Sequence, residues 1–146
     1  MFKHILLATD GSPASEHAAG LAVELASVHG ARLTALYVID PYPYLGIGEA
    51  NPVGFQAYTA AAMEHASQAH AAIAARCEKS NPPVKLEVRV AQDVGAAAGI
   101  VQTASEQKAD LVVVGSHGRT GIARLMLGSV AAQVVAESPV PVLIAR

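Results

Sequence analysis

Two short segments hold the polar side chains and bare backbone best suited to gripping an anion. The first is Thr9-Asp10-Gly11-Ser12. The second is Gly115-Ser116-His117-Gly118-Arg119-Thr120-Gly121, followed by Ile122–Leu127 and then Gly128-Ser129. Phosphate is held by backbone N–H groups that approach closely, and a Cβ often obstructs that approach. Gly115 and Gly118 provide such freedom directly after an apolar run. Gly128-Ser129 stands where a further periodic segment begins, and a helix N-terminus offers unpaired N–H groups with partial positive charge. Ser129 adds a hydroxyl, and Arg119 could add charge-assisted bonds to outer phosphates. The nine residues Arg119–Leu127 let the chain leave and return to the same anion from the other side. No G-x-x-x-x-G-K-[ST] occurs, and no G-x-G-x-x-G follows the first apolar run, so Walker-type and dinucleotide sites are unsupported.

Other polar residues have two readings each. Asp10 is a ligand residue or an Asx-type turn former ahead of Gly11. His117 is an acid, a base or a phosphate donor, or else a half-exposed loop histidine. His65 and His70, five apart, do not share a helix face well enough for a metal pair. His4, His17 and His29 read as solvated, and Cys77, without a CxxC partner or nearby histidine, as a packing residue.

The elements that must position these segments follow from the apolar pattern. Ile5–Thr9, Leu33–Ile39, Leu111–Val114 and Val140–Ala145 have the length and Val/Ile/Leu content of strands buried on both faces. Val84–Val90 alternates apolar and charged residues, as an edge strand with one wet face does. The stretches between are helical. Ser12 caps a helix with Pro13 in its first turn, an Ala18-Leu21-Ala22-Leu25-Val28 stripe and a Gly30 stop. A second helix runs from about Phe55 to Lys79, ending at Asn81-Pro82-Pro83. A third follows an Asp93 N-cap, and a fourth covers about Ser129–Glu137. The order β-α-β-α-β-α-β-α-β implies an α/β domain over residues 1–146 with a parallel sheet, helices on both faces and right-handed crossovers. Pro41–Gly54, with three prolines and three glycines, breaks the rhythm as a long loop, either a lid or an insertion without a role. In such a sheet ligands bind beyond the carboxyl ends of the strands, where both polar segments lie.

Composition bounds the rest. At 52% hydrophobic and 15% charged the chain is not disordered. A net charge of −2 without Lys/Arg runs gives no support for nucleic acid or a membrane surface. One cysteine allows no internal disulfide, and no apolar run approaches the ~20 residues of a membrane span. With no leader pattern at its start, a cytoplasmic protein is expected.

Gly115-x-x-Gly118-(nine residues)-Gly128-Ser129 resembles the signature of ATP-binding universal stress proteins. The opening Ile5-Leu6-Leu7-Ala8-Thr9-Asp10-Gly11-Ser12, the run Ala109–Arg119 and the terminal Ser138-Pro139-Val140-Pro141-Val142-Leu143-Ile144 are similar too. The resemblance spans the chain apart from Pro41–Gly54. It implies an open five-stranded parallel sheet of order 3-2-1-4-5. It implies adenine near Thr9, Asp10 and Val38, with the Val38 backbone reading the base edge and Asp10 near the ribose or a metal-bound phosphate. Val114 and Gly115 would border the ribose, and His117 lies within the same loop. Gly118, Arg119, Gly128, Ser129 and Val130 would hold phosphates, with Mg²⁺ or Mn²⁺ bridging them. The implied ligand is ATP, and ADP, AMP or cyclic AMP suit the same loop. The implied role is a nucleotide-dependent stress regulator. The competing roles are a slow ATP hydrolase or phosphotransferase and a chaperone-like scaffold that uses no nucleotide. No general base or paired carboxylates mark the loop, so any turnover should be slow.

The resemblance also implies a homodimer through Val140–Ala145. Pro139 and Pro141 lack N–H groups, so their side is expected to face away from the fourth strand. Leu143 and Ala145 would then share that outward side and pair with a second copy.

Overall fold

The computed structural model describes residues 1–41, 52–118 and 126–146. Among the described residues strands and helices alternate: β1 His4–Thr9, α1 Pro13–His29, β2 Arg32–Ile39, α2 Pro52–Lys79, β3 Leu86–Gln92, α3 Ala96–Glu106, β4 Leu111–Gly115, α4 Ser129–Glu137 and β5 Val142–Ala145. The sheet is parallel throughout with order β3-β2-β1-β4-β5, as expected. The chain therefore reverses its winding direction at β1, between β2 and β4.

Side-chain alternation splits the core in two. Ile5, Leu7, Leu33, Ala35, Leu111 and Val113 face α1 and α2. Leu6, Leu36, Val112 and Val114 face α3 and α4, meeting Ile100, Ala104 and Val134. The helices meet the sheet largely through alanine, so they lie close to it: α1 buries Ala18, Ala19, Ala22 and Ala26.

Local chemistry explains the boundaries of α1. The Ser12 hydroxyl accepts the Ser15 N–H, and Gly30 closes the helix at φ 63°, a left-handed conformation that glycine adopts without steric cost.

Several expectations need correction. Val28 does not join the buried stripe of α1 and is 83% exposed, whereas Ala19 and Val23 are buried. Helix α2 starts at Pro52, so Pro52–Gly54 are helical, while residues 42–51 of the expected loop lie outside the described residues. Asp93 does not cap α3. It takes a φ of 58°, which a short polar side chain tolerates, and Gly95 is the cap residue. Strand β3 starts at Leu86. Val84 precedes it, buried, with its N–H on the Cys77 carbonyl. Val88, expected on the covered face, is 50% exposed because α2 covers this edge strand incompletely.

The side that alternate residues of β5 present to β4 is also opposite to expectation. The Val112 N–H donates to the Pro141 carbonyl at 3.0 Å, and the Ser116 N–H to the Ala145 carbonyl at 2.7 Å. Within an extended strand the N–H and C=O of one residue point to the same side. Pro141, Leu143 and Ala145 therefore face β4, and the outward row is Val142 and Ile144. Pro141 precedes the strand, so its missing N–H removes no ladder bond while its carbonyl still accepts one.

Two histidines are buried rather than incidental. His4, expected to be solvated, is 3% exposed. Its Nδ1 lies 3.0 Å from the Gln107 carbonyl and its Nε2 2.8 Å from the Thr34 hydroxyl, so Nδ1–H donates and Nε2 accepts. His29 packs edge-on against Phe2, and His17 is exposed as expected. His70 is buried on α2 beside the Ala35 backbone, and its Nε2 has no hydrogen-bond partner among the described residues. Cys77 lies in the core, where burial pushes its thiol pKa up.

Burial holds the pKa of His70 below 6.5, opposed by the Ala35 backbone; burial and then the Arg32 charge do the same for His4. A base whose folded pKa is depressed supports the fold fully above its unfolded pKa, and that support is lost as pH falls below 6.5 toward the folded value. The fold should therefore lose stability from pH 7 to 5, each histidine contributing a slope of up to about 1.4 kcal/mol per pH unit. Urea unfolding at pH 7, 6 and 5 should give a shallower slope for His70→Met than for the parent chain. An unchanged slope would rule out His70 as a source.

Candidate functional site

The carboxyl end of β1 is a network of short-range bonds. Asp10 Oδ1 accepts the Ser12 N–H at 2.9 Å, which is an Asx turn, and Gly11 supplies the φ of 76° that the bend requires. Thr9 Oγ1 accepts the Gly11 N–H at 3.3 Å and lies 3.2 Å from Ser15 Oγ, which donates to the Ser12 carbonyl. Asp10 is thus a turn former and also lines the cleft above it.

The end of β4 is built against this network. A Cβ on Gly115 would stand 3.0 Å from Ala14 C and 3.2 Å from Ser15 N, so β4 reaches the first turn of α1 with no space between. The chain continues through Ser116, whose Oγ lies 2.8 Å from His117 Nδ1, to Gly118. A Cβ on Gly118 would lie 3.1 Å from Asp10 Oδ2, so the β1 and β4 loops meet there. After the excursion the chain returns to the same place, and the Gly128 N–H donates to the Ser116 carbonyl at 2.8 Å. Helix α4 begins at the next residue. Its first N–H groups have no carbonyl of an earlier turn behind them.

This bond engages the Gly128 amide, while Gly128 itself lines the cleft. Among the described residues, Gly118, Ser129 and Val130 line this part of the cleft.

These elements bound a cleft of about 440 Å³, within the range of small-molecule sites. Thr9, Asp10, Val38, Val114, Gly115, His117, Gly118, Gly128, Ser129 and Val130 all line it. Arg119 lies outside the described residues. The cleft sits at the carboxyl ends of β1, β2 and β4, where the winding reverses, as open parallel sheets dictate. One end is apolar, with Leu36, Val38, Ala96 and Ile100. The other presents Gly118 and the start of α4.

Sequence reasoning missed a whole wall. Tyr58, Ala61, Ala62 and His65 of α2 line the cleft, and the Tyr58 hydroxyl donates to the Asp40 carbonyl at 2.8 Å, tying α2 to the end of β2. Their spacing, i, i+3, i+4 and i+7, is one helix face, and that was the available signal. A second groove of about 560 Å³ between α1 and α2 adjoins the cleft at Thr9, Asp10 and His65.

Among the described residues no group of three or more His, Cys, Asp or Glu side chains could hold a metal ion. No helix among them is long and apolar enough to cross a membrane.

Comparison with known proteins agrees with this architecture. The sequence profile of the Universal stress protein family matches residues 1–146. A universal stress protein of Thermus aquaticus is 38% identical, with both chains covered in full. The solved structure of a universal stress protein from Lactobacillus plantarum shares 26% identity at a TM-score of 0.79, covering 99% of this chain and 97% of that one. A universal stress protein solved in complex with cAMP shares 29% identity at a TM-score of 0.70, with the same coverage.

Proposed function

The chain belongs to the universal stress protein family, and from that premise we propose that its cleft binds an adenine nucleotide, ATP foremost, and that occupancy regulates a stress response. The observation that carries this reading is the convergence of the Gly118 bend on Asp10 and of Gly128, at the start of α4, on Ser116, beside a cleft whose β2 side is apolar. Unpaired helix N–H groups and their partial positive charge suit phosphates. An apolar slot beside exposed strand-end backbone suits a flat heterocycle. The relative solved with cAMP supports an adenine nucleotide as the class.

In this reading Ser129, Val130 and Gly118 hold phosphates, joined by Arg119. Val114 and Gly115 border the ribose. Thr9, Asp10 and Val38 border the base, the last through its backbone. Gly128 serves by shaping the loop. His117 stands beside the phosphates with its Nδ1 turned to Ser116 Oγ. Mg²⁺ or Mn²⁺ would enter on the phosphates, since such ions need few protein ligands. Hydrolysis is expected to be slow, because the loop sequence offers no convincing general base and no paired carboxylates.

Calorimetry with ATP and Mg²⁺ tests the reading, with binding expected at micromolar to millimolar concentration. Protein that neither releases a 260 nm-absorbing nucleotide on denaturation nor takes up ATP would favour a scaffold. A turnover of about 1 s⁻¹ or faster, typical of enzymes, would favour an enzyme.

The assembly proposed is a homodimer through β5. Its outward Val142 and Ile144 carry N–H groups, so this edge lacks the proline protection that isolated edges often have. A second copy related by a two-fold axis can pair there. Light scattering that returns the monomer mass at micromolar concentration would remove the dimer.

A further inference from the structure

Gly99 has no conformational reason to be glycine. It lies inside α3, and the positive-φ glycines among the described residues are Gly11 and Gly30. Glycine in a helix interior is costly relative to alanine, so the site must supply something else. It supplies room. A Cβ on Gly99 would stand 3.2 and 3.3 Å from the two γ-carbons of Val38, and 3.1 Å from Val94 Cγ1. Carbon atoms in good contact keep about 3.5–4.0 Å. Val38 is β-branched and stiff at χ1, so it cannot readily rotate away.

Helix α3 therefore rests directly on the Val38 side chain. Ala96 and Ile100, on either side of Gly99, line the apolar end of the cleft together with Val38. The space between the end of β2 and this face of α3 is thus set by how closely α3 can sit on Val38.

We infer that Gly99 is the positioning residue for the base end of the cleft. Its missing Cβ seats α3 against Val38, and this spacing fixes where the Val38 backbone stands and how wide a flat heterocycle can be. The inference rests on the nucleotide reading and adds which residue sets the fit of the base.

The test is Gly99→Ala. In nucleotide-free protein the Val38 methyl resonances should shift. By calorimetry ATP affinity should fall roughly tenfold, the scale of one overpacked methyl group, while inorganic tripolyphosphate affinity stays at the parent value. Adding Val38→Ala removes two of the three γ-carbons that the new methyl meets, leaving Val94 Cγ1, so the double variant should recover part of the ATP affinity. It also serves if the single variant folds poorly. Unmoved Val38 methyl resonances, equal losses for ATP and tripolyphosphate, or a double variant no better than the single one would each overturn the inference. A parent chain that binds no ATP would instead refute the nucleotide reading, and the methyl resonances would still decide whether Gly99 places Val38.

Discussion

Gly118→Val should weaken ATP binding by at least about a hundredfold while leaving the domain folded, because it loads bulk onto the one bend that both loops share. Gly118 is not among the glycines with positive φ, so an L-residue does not meet the left-handed strain there. A first carbon at 3.1 Å from Asp10 Oδ2 displaces a carboxylate that can rotate, rather than main chain. In the proposed reading the two further carbons of valine crowd the part of the cleft that Gly118, Ser129 and Val130 line. Gly118 is itself exposed, so the substitution disturbs no core packing. Stability should stay within about 1 kcal/mol of the parent. Calorimetry with ATP reads the first quantity and urea unfolding the second. Normal ATP binding by a folded variant would show that the phosphates are not held at this bend.

How far the sequence could be read depended on the range of the interaction. Apolar runs and turn residues act locally, so the alternation of strands and helices, the Ser12 cap and the Gly30 stop were legible, whereas the strand order followed from the family resemblance. Asp93 was misread because aspartate is favoured both as a cap and at positive φ, and the choice depends on how the β3–α3 turn closes. His4 was misread because its partners, Thr34 and Gln107, are 30 and 103 residues away. The parity of β5 turned on where the strand begins. A shift of one residue exchanges inner and outer backbone groups, and proline content alone does not set that register. At the site, the residues of the β1 and β4 loops could be named because glycine and serine punctuate them. The α2 wall could not, since alanines at Ala61 and Ala62 give no chemical signal and Tyr58 with His65 reads as an ordinary helix face.

The glycines of the signature resemble one another in sequence but meet different neighbours, and Gly115→Ala separates their roles. Read from sequence, Gly115 opened space for an anion. In the structure the space beside it belongs to α1: its Cβ would meet Ala14 C at 3.0 Å, Ala14 O at 3.1 Å and Ser15 N at 3.2 Å. All three are main-chain atoms of the first turn of α1, so no rotamer change relieves the contact. Only a shift of the helix or of β4 can do so. That helix turn is anchored by the Ser12 cap and by the Ser15 hydroxyl bonded to the Ser12 carbonyl. Behind it stand Ala18 and Ala22, fully buried against the sheet. Strand β4 is held on both sides, by β1 and by β5. A single methyl group should therefore cost about 2–3 kcal/mol, the upper part of the range for overpacking. It should appear as a lower urea midpoint at an unchanged m-value. Nucleotide affinity of the folded fraction should fall far less than for Gly118→Val, because the methyl points at α1 and not at the phosphates. A Gly115→Ala chain as stable as the parent, yet unable to bind ATP, would reverse this assignment and return Gly115 to the anion cradle.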